Sequence, residues 1–256
     1  MTLVDTHCHL ADRRAFPEPR QAIEEALEAG VRRMVTIGID TETSLAAMNL
    51  AEAHEEVYAA AGWHPNHASD YRPTELAPLA EMLGHPKCVA LGEIGLDYYR
   101  DHATPDEQEK AFRDQLDLAL EHDKPVVIHC REAYEELLSI LESRPVPRLV
   151  FHCFSGTESD ARRALALGGW LGVDGPVTYK RADELRAVLA AVPLEKLLIE
   201  TDAPYMPPEP HRGKPNRPAW VALVNEGLAQ ALETSAEETA GATTKNAISV
   251  FGPMGL

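Results

Sequence analysis

The stretch Leu3-Val4-Asp5-Thr6-His7-Cys8-His9-Leu10 decides the fold. It reads as a β-rich run, and it ends in His-Cys-His-Leu, where an open doubly wound sheet would place a glycine-rich phosphate turn. Working outward, similar runs recur at Arg33–Ile39, Val57–Trp63, Val89–Leu96, Pro125–Cys130, Leu149–Phe154, Trp170–Val173 and Leu197–Thr201. Helical periodicity fills the intervals over Pro19–Ala29, Thr43–His54, Glu75–Leu83, Pro105–His122, Ala133–Glu142, Glu158–Leu167 and Ala182–Ala191. Ala219–Leu232 and Glu237–Val250 add helix after the eighth run. Crossovers too long for hairpins imply a parallel sheet, and eight β-then-α units imply its closure. The expectation is an α/β protein, a (β/α)8 TIM barrel formed by residues 1–256 as a single domain with an extra C-terminal helix. The Pro-rich stretch Ala203–Pro218 reads as a long loop over the barrel mouth.

Composition limits the modes of binding. The 256 residues carry 24 Lys plus Arg against 41 Asp plus Glu, a net charge of −17. Such a chain does not coat nucleic acid or anionic membrane through bulk charge, although a nuclease that grips a strand end through bound cations needs only a local positive field. Four widely spaced cysteines without a CxxC, and no basic start followed by an apolar segment, point to a reduced, cytoplasmic protein. No apolar run is long enough to span a bilayer, and nothing in the sequence calls for an obligate protein partner.

Strand alternation places Asp5, His7 and His9 on one face of the first run and Thr6 and Cys8 on the other. Two neutral imidazoles two residues apart can chelate one cation. Other ligand-type side chains stand at the same ends of later runs: His64 after the third, Glu93 on the fourth, His129 on the fifth, His152 on the sixth, and Glu200 with Asp202 on the eighth. In a barrel these ends converge on the face where active sites lie. Four imidazoles gathered beside Glu93 and Asp202 would repel as cations or sit poorly solvated, and a divalent cation removes both problems. His54, His67, His85, His102, His122 and His211 fall on helices or loops and read as ordinary solvated or hydrogen-bonded side chains.

Cys8, Cys130 and Cys153 each sit beside a proposed ligand histidine, so alternation sends them into the sheet–helix layer as core thiols rather than zinc ligands. Arg131 at the mouth is suited to a phosphate, and Tyr98, Tyr99 and Arg100 follow the fourth run, where an aromatic can stack on a base. Arg212, Lys214 and Arg217 form a basic island whose sign suits an anionic substrate. There is no GxSxG elbow, Walker loop or HExxH, which leaves metal-assisted hydrolysis as the reaction class with positive support.

Six ordered segments, DTHCHL from Asp5, GWHP from Gly62, GEIGLDYY from Gly92, PVVIHCR from Pro125, VFHCFSG from Val150 and LLIETDAPY from Leu197, resemble motifs of the TatD family of metal-dependent deoxyribonucleases, within the amidohydrolase superfamily. The resemblance runs through the whole chain. It implies that His7, His9 and Asp202 hold one metal, that His129 and His152 hold a second, and that Glu93 bridges the two. It also implies that His64, Glu200 and Asp97 support the ligands or orient substrate. No lysine stands near Glu93 to supply the carboxylated bridge of dihydroorotase- or phosphotriesterase-like barrels. The implied activity is hydrolysis of DNA phosphodiester bonds, often by removal of terminal nucleotides, at strand ends or on single strands. The implied cofactors are two divalent ions, Mg²⁺ or Mn²⁺, with Zn²⁺ or another transition metal also suited to histidine ligands. One departure is Asn216-Arg217-Pro218 where the family often has Asn-Glu-Pro, which bears on loop docking or substrate preference.

The mechanism expected from these residues is attack on phosphorus by a metal-bound hydroxide, with Glu93 and Asp202 as catalytic carboxylates, Asp202 orienting or deprotonating the water, and His64 and Arg131 contacting substrate. The rivals are an amidohydrolase or esterase acting on a small molecule, an aminoacyl-tRNA deacylase, and a non-catalytic metal-binding module. The same ligands serve carbonyl and phosphoryl hydrolysis, so the polarity of the mouth is the discriminating feature.

Overall fold

A computed structural model describes residues 1–256. Its elements alternate: β1 (Leu3–Cys8), α1 (Pro19–Glu28), β2 (Val31–Ile37), α2 (Thr41–Ala53), β3 (Val57–Ala61), α3 (Leu76–Leu83), β4 (Cys88–Asp97), α4 (Pro105–Glu121), β5 (Val126–Arg131), α5 (Tyr134–Ser143), β6 (Leu149–Phe151), α6 (Glu158–Ala166), β7 (Trp170–Val173), α7 (Asp183–Ala190) and β8 (Leu197–Ile199), then α8 (Val221–Ala231) and α9 (Ala236–Phe251). The strands form one sheet in chain order, each paired in parallel with the next.

Closure occurs just past the end of β8. Asp202 N donates to His7 O at 2.8 Å and His9 N donates to Ala203 O at 2.7 Å, with a parallel bridge between Cys8 and Ala203. Side chains stitch the same seam. The Asp5 carboxylate accepts from Thr201 N at 2.9 Å and Thr201 Oγ1 at 2.6 Å, while Thr6 Oγ1 donates to Ile199 O at 3.0 Å. Asp5, the first acidic residue of the opening motif, therefore closes the barrel.

Apolar side chains fall into two layers. Residues such as Leu3, Met34, Leu91, Ile128, Phe151 and Leu197 pack outward against the helices. Val4, Val35, Ile37, Val127, Val150 and Leu198 form a smaller cluster with Val250, Phe251 and Met254 from α9 and the residues after it. Asn246 on α9 donates to Leu194 O and Leu197 O, and Arg33 donates to Gly255 O, so the C-terminal segment is fastened to strand beginnings. The extra C-terminal helix is thus the floor of the barrel, opposite the strand ends that carry the acids and histidines.

Several strand ends differ from the sequence expectation. The runs read as strands to Leu10, Trp63, Phe154 and Thr201 stop pairing at Cys8, Ala61, Phe151 and Ile199. Beyond those points single backbone bonds still reach neighbouring strands, His152 N to Ile128 O and Glu200 N to Val173 O, while Cys153 and Asp202 turn to positive φ, which places His9, His64, His152, Glu200 and Asp202 just beyond the paired strands. Helix α2 starts before the expected Thr43 because Asp40 caps it. The Asp40 carboxylate accepts from Thr43 N at 2.7 Å, and Thr43 Oγ1 accepts from Asp40 N at 3.0 Å.

Candidate metal centre

The centre is built around β4 and β5. Register shifts between Leu91 and Ile94 where β4 pairs with β5, and such a bulge re-aims the intervening side chains, here Glu93. Gly95 is the register partner of His129. It has φ +146°, and a Cβ there would lie 1.9 Å from His129 O, so only glycine lets β5 approach this closely. The consequence is that His129 sits between the two acids of the segment, with Nδ1 2.8 Å from Glu93 Oε1 and Nε2 3.1 Å from Asp97 Oδ2. Gly172 on β7 makes comparable room for Glu200, whose carboxylate oxygens lie 2.6 Å from where its Cβ would be. Glu200 Oε1 in turn stands 2.9 Å from His152 Nδ1 and accepts from Cys153 N.

Glu93 occupies the middle of the cluster and is buried. Its Oε1 faces His129 Nδ1, His152 Nε2 at 3.4 Å and His64 Nε2 at 3.6 Å, and its Oε2 faces His7 Nε2 at 3.5 Å. His9 Nε2 lies 3.3 Å from Asp202 Oδ1, which is 3.7 Å from His7 Nε2. The sets with ligand atoms close enough for one cation are His7–His9–Asp202, His7–Glu93–His152 and His64–Glu93–His129. His129 and His152 do not share one such set. Their rings stand 6.2 Å apart, and both reach the same oxygen of Glu93.

Charge is balanced across this cluster. Burial alone would raise Glu93, but His152, His64, His7 and the hydrogen bond from His129 hold its carboxyl well below the ordinary value. Burial opposes charge on His152, yet Glu200 and Glu93 push its imidazole up to about 10. His129 and His9 are raised against burial by their carboxylate partners, and Asp97 is held down to about 2 against burial by His129 and the Arg100 amide. Four carboxylates, Glu93, Asp97, Glu200 and Asp202, therefore call for positive charge in a small volume.

A cation fits that demand. His7 is fully buried, neither of its ring nitrogens has a hydrogen-bond partner, and its ring stacks on His152 at 3.6 Å. Its nearest carboxylate oxygens, at 3.5 and 3.7 Å, are beyond good hydrogen-bonding distance. An unsatisfied buried imidazole beside carboxylates has the chemistry of a metal ligand. Asp97 on His129 Nε2 and Glu200 on His152 Nδ1 leave His129 Nδ1 and His152 Nε2 facing Glu93, the carboxylate–histidine arrangement that orients ligands.

His64 shares the third set but differs from the other imidazoles in its protonation. Its Nδ1 accepts from Asn66 N at 3.0 Å, and burial, outweighing Glu93, brings it down to about 4. The ring is therefore neutral with its proton on Nε2, a hydrogen-bond donor aimed at the cluster. Arg131 is exposed, its guanidinium 3.6 Å from the centre of the Tyr99 ring at the mouth, and Arg100 lies 5.5 Å from the same ring.

Two expectations are corrected. Cys8 and Cys130 are core thiols, but Cys153 is only partly buried and lies outside the sheet–helix core. Alternation holds only within a strand; β6 ends at Phe151, and Cys153 has φ +45°. Arg217 does not belong to a substrate-facing basic island. It pairs with Glu25 of α1 at 2.5 Å and lies over Trp220, so the guanidinium docks the loop. Arg212 stacks on Tyr179.

Several supporting residues were not anticipated. Gln108 and Gln115, seven apart on α4, bind the backbone of Asp97 and Trp63 through donor and acceptor together. Two glutamines on the buried face of an amphipathic helix are the sequence signal for such a role. Asp174 follows β7 at the same strand-end position as the ligands. Its Oδ2 has no partner, and burial, with Glu200 and Asp202, pushes it up to about 8. Asn216 ties the mouth loop by donating to Thr201 O and Tyr205 O.

The family described as "TatD related DNase" matches residues 4–252. The chain is 39% identical over 251 residues to the "Uncharacterized metal-dependent hydrolase YabD" of Bacillus subtilis (strain 168), covering 97% of this chain and 98% of that one. It is 36% identical over 234 residues to the "3'-5' ssDNA/RNA exonuclease TatD" of Escherichia coli (strain K12), covering 89% and 90%. The crystal structure of YJJV, a TatD homologue from Escherichia coli K12, superposes with a TM-score of 0.93 at 35% identity over 98% of both chains. On the family match, these relatives and the shared barrel, the chain belongs to the TatD-related DNase family.

Proposed function

We propose that the chain hydrolyses phosphodiester bonds at single-stranded nucleic-acid ends, DNA foremost, using two divalent cations. The observation that carries this reading is Glu93, buried and central, with His7, His64, His129 and His152 all directed at its two oxygens. His7, His9 and Asp202 would hold one ion, His129 and His152 the other, and Glu93 would belong to both. Mg²⁺ or Mn²⁺ suits phosphoryl chemistry, and Zn²⁺ or another transition ion suits the histidines. When bound, the pair would acidify a water and neutralise charge on the attacked phosphoryl group.

The chain's own groups do the rest. Asp202 is held below the ordinary carboxyl range by His9 and His152 despite burial, so it is ionised and able to take the proton of the attacking water at Oδ1 or Oδ2. His64 Nε2–H donates to a substrate oxygen above Glu93. Asp97 and Glu200 hold His129 and His152 in their working tautomers. Arg131, at the end of β5, receives the phosphate of the strand outside the cluster. The name of the Escherichia coli relative, a 3'-5' exonuclease on single-stranded DNA and RNA, supports a 3' end as the preferred terminus.

The test is cleavage of 5'- and 3'-labelled single- and double-stranded oligonucleotides by metal-stripped protein to which Mg²⁺, Mn²⁺ or Zn²⁺ is restored. Wild type is expected to remove terminal nucleotides only with metal. Glu93→Gln is expected to lose about three orders of magnitude in kcat/KM, equivalent to roughly 4 kcal/mol of transition-state stabilisation. Full turnover in Glu93→Gln would overturn the assignment. Two bound ions without cleavage of any oligonucleotide would redirect it to carbonyl hydrolysis, on a small molecule or an aminoacyl ester.

A further inference from the structure

The outer surface holds six large exposed apolar side chains, Met1, Leu45, Tyr99, Leu120, Tyr205 and Leu256. Only Tyr99 and Tyr205 are aromatic, and both stand at the barrel mouth, 53% and 57% exposed. Tyr205 lies edge-on to the His9 ring with centroids 5.8 Å apart. Its backbone is pinned on both sides, with its N donating to Asp202 O at 2.7 Å and its carbonyl accepting from Asn216 Nδ2 at 2.8 Å. Tyr99 N donates to Asp97 Oδ1 at 3.1 Å, the carboxyl group that holds His129, and the Arg131 guanidinium lies 3.6 Å from the Tyr99 ring centre.

The two rings terminate a continuous line of contacts. It runs from Tyr205 through His9, Asp202, His7, Glu93, His129 and Asp97 to Tyr99. Each is an apolar surface left in water on a fixed backbone, one on either side of the carboxylate–histidine cluster. Backbone anchoring lowers the ordering cost of stacking a flat group on them. A net charge of −17 repels a polyanion, so affinity for a strand end must draw on contacts that do not depend on bulk charge, and every nucleobase offers a π-face.

We propose that Tyr99 and Tyr205 are stacking platforms for the two bases that flank the scissile linkage, Tyr99 reinforced by Arg131. The proposal rests on the phosphodiester reading above and adds to it a requirement for an unpaired end with a base on each side of the attacked phosphate. A paired end satisfies this only after fraying, because two stacked, paired bases cannot separate onto platforms on opposite sides of the cluster.

The experiment combines substrate and protein changes. Single-stranded oligonucleotides carry 2-aminopurine, or an abasic residue, at the terminal or penultimate position of the trimmed end. A terminal phosphorothioate version resists cleavage and allows binding to the metal-loaded protein to be read by 2-aminopurine fluorescence. Stacking is expected to quench both positions in wild type. Tyr99→Ala is expected to relieve quenching at one position and Tyr205→Ala at the other, each raising KM about tenfold, the scale of one base–aromatic stack. Each KM effect should shrink below about twofold when the matching base is absent, and Tyr→Phe should restore both quenching and KM. Unchanged quenching and KM in both Ala variants, with cleavage intact, would overturn the platforms while leaving the nuclease reading in place. Loss at the same position in both variants would also overturn them. Failure of wild type to cleave any oligonucleotide would overturn the nuclease reading and this proposal with it.

Discussion

At the scale of single residues, the candidate ligands are less informative than the groups that hold them. Asp97 and Glu200 each spend a carboxylate oxygen on a histidine nitrogen that points away from Glu93. That fixes the tautomer and raises the basicity of the nitrogen left facing the cluster. Asp97→Asn and Glu200→Gln are therefore expected to weaken metal binding by about 10- to 100-fold, measured by calorimetric titration of metal-stripped protein. Unfolding of the metal-free proteins serves as the control for damage to the barrel. Undiminished affinity in both variants would show that the two carboxylates do not act through their histidines. The HxH pair and Glu93 were legible in the sequence as candidate ligands. The pairing of each histidine with its own acid was not, because strand-end position says which face a side chain shares and not which neighbour it meets.

At the scale of elements, capping residues set where helices begin, and through that where the βα loops leave the strands. Asp40 caps α2, and its carboxyl is held down to about 2 chiefly by the hydrogen bond from His67, helped by Thr43 against burial. A folded-state value below the ordinary ~3.9 means that this contribution is present above about pH 4 and disappears as pH falls through about 2. Asp40→Ala is expected to cost about 1 kcal/mol near pH 7, the usual size for a lost cap at a partly exposed site. Urea unfolding of both proteins across pH 2–7 checks it, since the difference should narrow on acidification below pH 4. A gap that persists unchanged at pH 2 would rule out the ionised cap as its source. Helix existence was clear from periodicity, whereas this start was placed two residues late because Asp40, the acid that caps it, lies outside the periodic pattern.

At the scale of the whole molecule, the barrel divides labour between its two ends. Phe251 and Met254 seal the floor with the inward valines, while the mouth gathers every acid and histidine of the candidate centre. The whole chain carries a net charge of −17, and two cations of the mouth loop are engaged elsewhere, Arg217 with Glu25 and Arg212 over Tyr179. Binding of an oligonucleotide should therefore release few counterions. The slope of log affinity against log salt is expected to stay below about 2 in magnitude, corresponding to about three phosphates or fewer on a single strand. Fluorescence anisotropy with a cleavage-resistant oligonucleotide over a salt series measures this, and a slope near 5 would mean an extended basic track that the fold does not offer.

The sequence by itself determined the barrel, because eight β-then-α units with no glycine-rich first turn leave few ways to bury every strand. It also determined which side chains gather at the mouth, because acids and histidines at successive strand ends can meet only at one face. Tertiary structure decided what those residues do to one another. The β4 bulge brings Glu93 to the middle, Gly95 lets His129 settle between Glu93 and Asp97, and Gly172 gives Glu200 its place behind His152. It also turned Arg217 onto α1 and took Cys153 out of strand alternation at φ +45°. These outcomes depend on close approach between segments remote in sequence, a quantity set by packing in three dimensions and invisible to alternation along one strand.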